Sequence, residues 1–131
     1  MYQIARKYPF STATTLLIWI VCLIPISETP LTDISFGDKW AHVLMYLLLS
    51  VVIAFEFSYR NKKLRLGRFL IATLAFPILT GGLIELAQAY LTFGMRSGEW
   101  LDWVADCLGA TVSSLICTPL AMYRAKARKD E

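Results

Sequence analysis

Charge is what this chain has least of: Asp, Glu, Lys and Arg make up 18% of its 131 residues, against 56% hydrophobic residues. Scarcity of that order, with apolar runs separated by short charged punctuation, identifies an integral membrane protein rather than a soluble domain. Histidine is reduced to His42. The three cysteines, Cys22, Cys107 and Cys117, are odd in number and form no CxxC pair. They fall inside apolar runs, so buried, inert thiols are expected and the redox compartment stays undefined. No internal repeat or low-complexity segment occurs, and connections of about ten residues leave no room for a separate soluble domain. Residues 1–131 are therefore read as a single domain. A small-residue cleavage site is missing as well: Ile24, Pro25 and Ile26 end the first apolar run, which is read as a retained signal anchor.

The runs themselves set the fold class. A span needs roughly 20 mainly apolar residues, and the candidates are Phe10–Ile26, Trp40–Tyr59, Phe69–Phe93 and Trp103–Tyr123. The expectation is an all-α, polytopic bundle of four transmembrane helices. Its orientation follows from basic residues, which short cytoplasmic loops retain. Arg6 and Lys7 precede the first span, Arg60, Lys62, Lys63, Arg65 and Arg68 fill the loop after the second, and Arg124, Lys126, Arg128 and Lys129 follow the fourth. Only Lys39 and Arg96 fall on the other side, which receives Glu28, Asp33, Asp38, Glu99 and Asp102. Both termini are thus expected in the cytoplasm. The net charge of +3 is a topology signal, and no nucleic-acid partner is expected. Trp40, Trp100 and Trp103 fall where interfacial rings anchor helices.

Polar groups within the spans carry the functional signal, because each costs at least a few kcal/mol at the bilayer centre and must face a partner or water. Asp38, His42 and Tyr46 recur every fourth residue on one stripe of the second span. Glu85 and Gln88 share a face of the third, with Glu85 roughly 12 Å below Phe93. Asp102 and Asp106 are continued by Gly109 and Ser113 on the fourth, where small residues permit close helix approach. Pro77, with Gly81 and Gly82 a turn later, is expected to bend the third span beside Glu85. Glu56 lies four residues before Arg60, and a helix-face pair accounts for it. Ser27–Gly37 is the one irregular stretch, placed where it could lie over the mouth of the bundle.

Read together, Asp38-Lys39-x-x-His42-x-x-x-Tyr46-x-x-Leu49, Glu85-x-x-Gln88, and Arg96 followed by Asp102-x-x-x-Asp106-x-x-Gly109 form a pattern that resembles the VanZ-like family. The resemblance runs from about Asp38 to Ser113. It departs from the family at Asp106, where many relatives carry Asn, and near Ser113, where a second glycine is frequent. The family is named for a member that lowers susceptibility to the glycopeptide teicoplanin. The resemblance implies a bacterial cytoplasmic (inner) membrane setting, with the polar cluster facing the periplasmic or extracellular side, where teicoplanin meets lipid-linked wall precursors.

Two functions are open at this stage. In one, a polar pocket built from Asp38, Lys39, Tyr46, Gln88, Asp102 and Asp106 around His42, Glu85 and Arg96 binds an envelope or lipid-linked ligand, such as a cell-wall precursor or a glycopeptide. In the other the same residues form a catalytic site for a lipid-linked phosphate or acyl substrate. His42 would then be the proton carrier, as the only side chain whose unperturbed pKa lies near neutrality. Asp38 would orient it, Glu85 would act as acid or base, and Arg96 would clamp an anion with paired donors. A metal held by His42 with Asp38, Glu85, Asp102 and Asp106 follows no familiar spacing, so neither metal nor cofactor is expected. A purely architectural arrangement would have His42 bonding Glu85 and Arg96 pairing with Asp102.

Overall fold

The structure is a computed structural model that describes residues 2–24, 37–91 and 100–130, apart from the Asp38 side chain. Every regular element among them is helical. A short α1, Tyr2–Lys7, is separated from α2, Pro9–Leu23, at Tyr8, because the residue before a proline is driven out of the helical region. Helix α3 covers Gly37–Arg60. Helix α4 runs Leu66–Leu91 and contains one π-type turn, Ile71–Ala75; α5 is Trp100–Lys129. Three stretches, Lys39–Arg60, Leu66–Leu91 and Trp100–Lys129, are long and apolar enough to cross a membrane. Helix α2, with 15 described residues, rises only about 22 Å and falls short of a span by itself. Gly37 apart, the stretch Ser27–Gly37 lies outside the described residues.

Burial runs opposite to that of a soluble bundle. Leu44, Leu79 and Leu115 are 63%, 67% and 71% exposed, while Ser50, Thr73, Ser113, Ser114 and Asp106 are buried. An apolar exterior around a core of small and polar groups suits hydrocarbon surroundings, where helices associate through close packing and hydrogen bonds. Among the described residues, two apolar clusters fill much of the interior. One joins Ile18 and Cys22 of α2 to Tyr46, Leu49 and Ile53 of α3 and Ile84 of α4. The other joins Ala54, Phe69, Cys117 and Ala121 near the basic end, where Phe57 stacks on Tyr8 and meets Phe69 edge-on.

The principal packing is α3 against α5, and Gly109 explains how close it is. A Cβ on Gly109 would overlap the Val43 carbonyl oxygen and come within 2.9 Å of the Leu47 amide nitrogen. The close approach expected of small residues at this position is thus observed backbone to backbone.

Pro77 has its expected local effect. It removes the amide that would reach back to Thr73, and the helix passes through the π-type turn just before it. The Thr73 carbonyl is instead met by the hydroxyls of Ser50 on α3 and Ser114 on α5, the latter at 3.4 Å. Neighbouring hydroxyls commonly satisfy a carbonyl that proline has freed inside an apolar bundle. Ser50→Ala is therefore expected to lower stability by about 1–2 kcal/mol in a denaturation assay. In a Pro77→Ala background the restored amide should shrink that loss; an unchanged loss would break the link between the two residues.

Glu56 does not act through Arg60. Its carboxylate is buried and accepts bonds from Phe10 N at 3.2 Å, Ser11 N at 2.7 Å and Ser11 Oγ at 2.6 Å. It caps the first turn of α2, where free amides and the positive end of the helix dipole favour an anion.

Candidate functional site

The site forms where the Gly37 end of α3, the Leu91 end of α4 and the Trp100 end of α5 meet. Helical spacing puts Lys39, His42 and Tyr46 along one side of α3, where Lys39 and His42 meet α5 and Tyr46 packs with Ile84 of α4 and Cys22 of α2. Asp102 and Asp106, four apart, return that contact from α5. Trp103 secures α5 to α4 by donating its indole N–H to the Ile78 carbonyl at 2.9 Å, so it pins helices as well as sitting at a helix start. Trp40 and Trp100 are largely exposed at the same end, in keeping with the interfacial role expected for them.

His42 is the centre of the arrangement. Its Nδ1 shares a hydrogen bond with Asp106 Oδ1 at 2.8 Å, and its Nε2 lies 3.9 Å from Asp102 Oδ2. The other Asp102 oxygen receives the Lys39 ammonium at 3.3 Å. The result is a chain Lys39–Asp102–His42–Asp106 spanning α3 and α5. His42 and Asp106 are 1% and 0% exposed, so the imidazole is fixed away from bulk water. Orientation of His42 therefore comes from Asp106; the Asp38 side chain expected in that role is outside the described residues. Asp106 Oδ2 has no hydrogen-bond partner among the described residues and rests against Gly81, whose added Cβ would lie 2.6 Å from it. Gly81, read in the sequence only as a bending residue, makes room for this carboxylate.

Glu85 approaches from α4. One of its carboxylate oxygens, an imidazole nitrogen of His42 and an oxygen of Asp106 all lie within 4.8 Å of one another. Two like charges that far apart repel by roughly 3–4 kcal/mol at an effective dielectric of 20. A buried pair of carboxylates therefore calls for protons or cationic groups close by. The same three groups are near enough to face a small divalent cation, with one histidine and two carboxylates as a donor set. The hydroxyl of Tyr46 lies beside Thr80 and within electrostatic reach of Asp106, Cys22 and Glu85.

Gln88 turns elsewhere: its amide donates to the Cys22 carbonyl of α2 at 2.7 Å. That carbonyl belongs to the last turn of α2, where backbone acceptors lack helical partners. Gln88 thus ties α4 to α2 one turn beyond Glu85. Of the residues anticipated from sequence, Lys39, His42, Tyr46, Glu85, Asp102 and Asp106 come together, Gln88 flanks them, and Arg96 lies outside the described residues. His42 bonds Asp106 and Asp102 takes Lys39, while the anticipated pairing of Arg96 with Asp102 falls on a residue outside the described ones. No protein-family model, no curated protein and no solved structure matches this chain, so the site stands on its own geometry.

Proposed function

We propose that the chain is a four-span VanZ-like protein of the bacterial cytoplasmic membrane, with both termini cytoplasmic, whose polar cluster binds an envelope or lipid-linked ligand from the periplasmic or extracellular side. A cell-wall precursor or a glycopeptide of the teicoplanin class is the ligand chemistry in view, with a contribution to glycopeptide resistance or envelope homeostasis. The observation that carries this reading is the gathering of Lys39, His42, Glu85, Asp102 and Asp106 at one level between three apolar helices. Groups so costly to bury are retained in membrane bundles chiefly where they meet a ligand, an ion or a proton. The basic residues at the far end support the orientation, and the spacing of the motifs supports the family. The fourth span would be the α2 segment with the residues that follow it.

One observation favours the enzymatic alternative. Asp106 sits 2.8 Å from Nδ1 of His42; with the proton on that nitrogen the lone pair would lie on Nε2, the arrangement in which a carboxylate holds an imidazole as a general base. Nε2 could take the proton of a water or hydroxyl attacking a lipid-linked phosphate or acyl group. Lys39 and Arg96 would hold the anion.

Glu85→Gln and His42→Ala test both readings in a deletion background. Each variant is expected to accumulate in the membrane and melt close to the parent, yet lose resistance to teicoplanin or other envelope stress. Failure of both to accumulate would reduce the cluster to a structural fastening. If a substrate is consumed by the purified protein, His42→Ala should slow its loss roughly 100-fold or more, the usual range for removing a general base; a binder consumes nothing in either form. Reporter fusions after Lys62 and after Ser97 check the orientation, and a cytoplasmic signal at Ser97 overturns it.

A further inference from the structure

At the opposite end from the His42 cluster, residues of α3 and α5 line a cleft of about 70 Å³. Its floor is small, formed by Ala54, Cys117 and Ala121, and its walls are the exposed side chains of Phe55 and Leu120. The cleft opens at Ser58 and Arg124 into a second depression lined by Lys62, Arg128 and Asn61. The two share Ser58, Ala121 and Arg124, so an apolar channel and a basic mouth are continuous. Arg128 is held in place by donating to the Ser58 carbonyl at 3.1 Å, which fixes one guanidinium at the mouth.

We infer that this cleft is a binding site for an anionic phospholipid, with one acyl chain between Phe55 and Leu120 and the phosphate at Lys62, Arg124 and Arg128. Charge complementarity selects the occupant: no described acidic side chain lines either depression, and three cationic ones converge on the mouth. Depth agrees. Ala54 lies about 6 Å along α3 from Ser58, the distance over which a lipid passes from headgroup to upper acyl chain. Helix-end arginines and lysines in membrane proteins build headgroup pockets of this kind. A soluble phosphate would satisfy the mouth but leave the apolar channel without purpose. The site uses none of the residues of the polar cluster, and stands or falls independently of the function proposed for that cluster.

The test is lipid retention by the full-length protein in detergent, read by native mass spectrometry with phosphatidylglycerol and phosphatidylcholine offered in equal amounts. Lys62→Ala with Arg124→Ala is expected to lower the preference for phosphatidylglycerol by about tenfold or more, given roughly fivefold per basic residue near a headgroup. Lys63→Ala with Lys126→Ala removes the same charge outside the cleft and should leave the preference within about twofold. Ser58→Phe keeps every charge and blocks the junction, and should release the lipid as well. Equal losses from the two lysine-containing pairs would mean diffuse attraction to the basic surface and overturn the site. Retention of phosphatidylglycerol by Ser58→Phe would overturn it too, since no chain would then occupy the channel.

Discussion

Gly109→Ala is expected to destabilise the bundle by about 3 kcal/mol or more, at the upper end of what overpacking does. The reason is the nature of the obstacle. The new methyl meets backbone atoms of α3, the Val43 carbonyl and the Leu47 amide, which have no rotamer to change. The two helices must separate, and separation pulls Asp106 away from His42, because Gly109 lies three residues beyond Asp106 on the same helix. Loss of stability and loss of the site should therefore appear together. Gly67→Ala supplies the comparison: nothing lies within 4 Å of the added carbon there, so the substitution should be neutral or slightly stabilising in its helix. Thermal or chemical denaturation in detergent measures both. Equal stability of Gly109→Ala and the parent would show that the α3–α5 approach is looser than described.

The second large effect belongs to Glu56→Ala, expected at about 2–4 kcal/mol in the same assay. The carboxylate accepts three bonds from Phe10 and Ser11, and its removal leaves a buried hydroxyl and two amides of the first turn of α2 without an acceptor. Glu56→Gln should recover part of the loss, since an amide oxygen still accepts but without charge. Ser11→Ala removes only the hydroxyl bond and should fall well below Glu56→Ala. The far end of α2 keeps the contacts of Ile18, Cys22 and Gln88, whereas the end near Tyr8 is left with Phe57 and Asn61, so protease susceptibility near Tyr8 should rise first. A variant that melts like the parent without that exposure would sink the anchoring role.

How far these residues were legible in advance depended on whether the signal was periodic. His42 and Tyr46, and Asp102 and Asp106, stood out because polar residues at helical spacing within apolar runs must share a face, and a face with charges must turn inward. Glu85 stood out by cost alone. Glu56 was misread, because the i, i+4 rule offered Arg60 as a ready partner, and nothing in the local sequence points to Ser11 at a separation of 45 residues. Gln88 was grouped with Glu85 by spacing, yet its amide reaches α2 rather than the cluster. Gly81 was recognised as a flexible position and turns out to be a vacancy for Asp106. The pairing of Ser50 and Ser114 with the Thr73 carbonyl required knowing which helices lie beside the π-type turn.

Composition and periodicity by themselves determined that this chain is helical, that its helices are apolar enough for a bilayer, and that the stripe of His42 and Tyr46 and that of Asp102 and Asp106 face the interior. Those properties depend on one helix at a time: length, spacing and the free energy of moving a side chain out of water. Only the tertiary structure decided the partners. That Asp106 holds His42, that Lys39 falls to Asp102, and that Glu56 caps α2 follow from the rotation and offset of each helix against its neighbours. Those offsets are governed by contacts between residues far apart in sequence, above all the backbone contact at Gly109, and no pattern within a single helix encodes them.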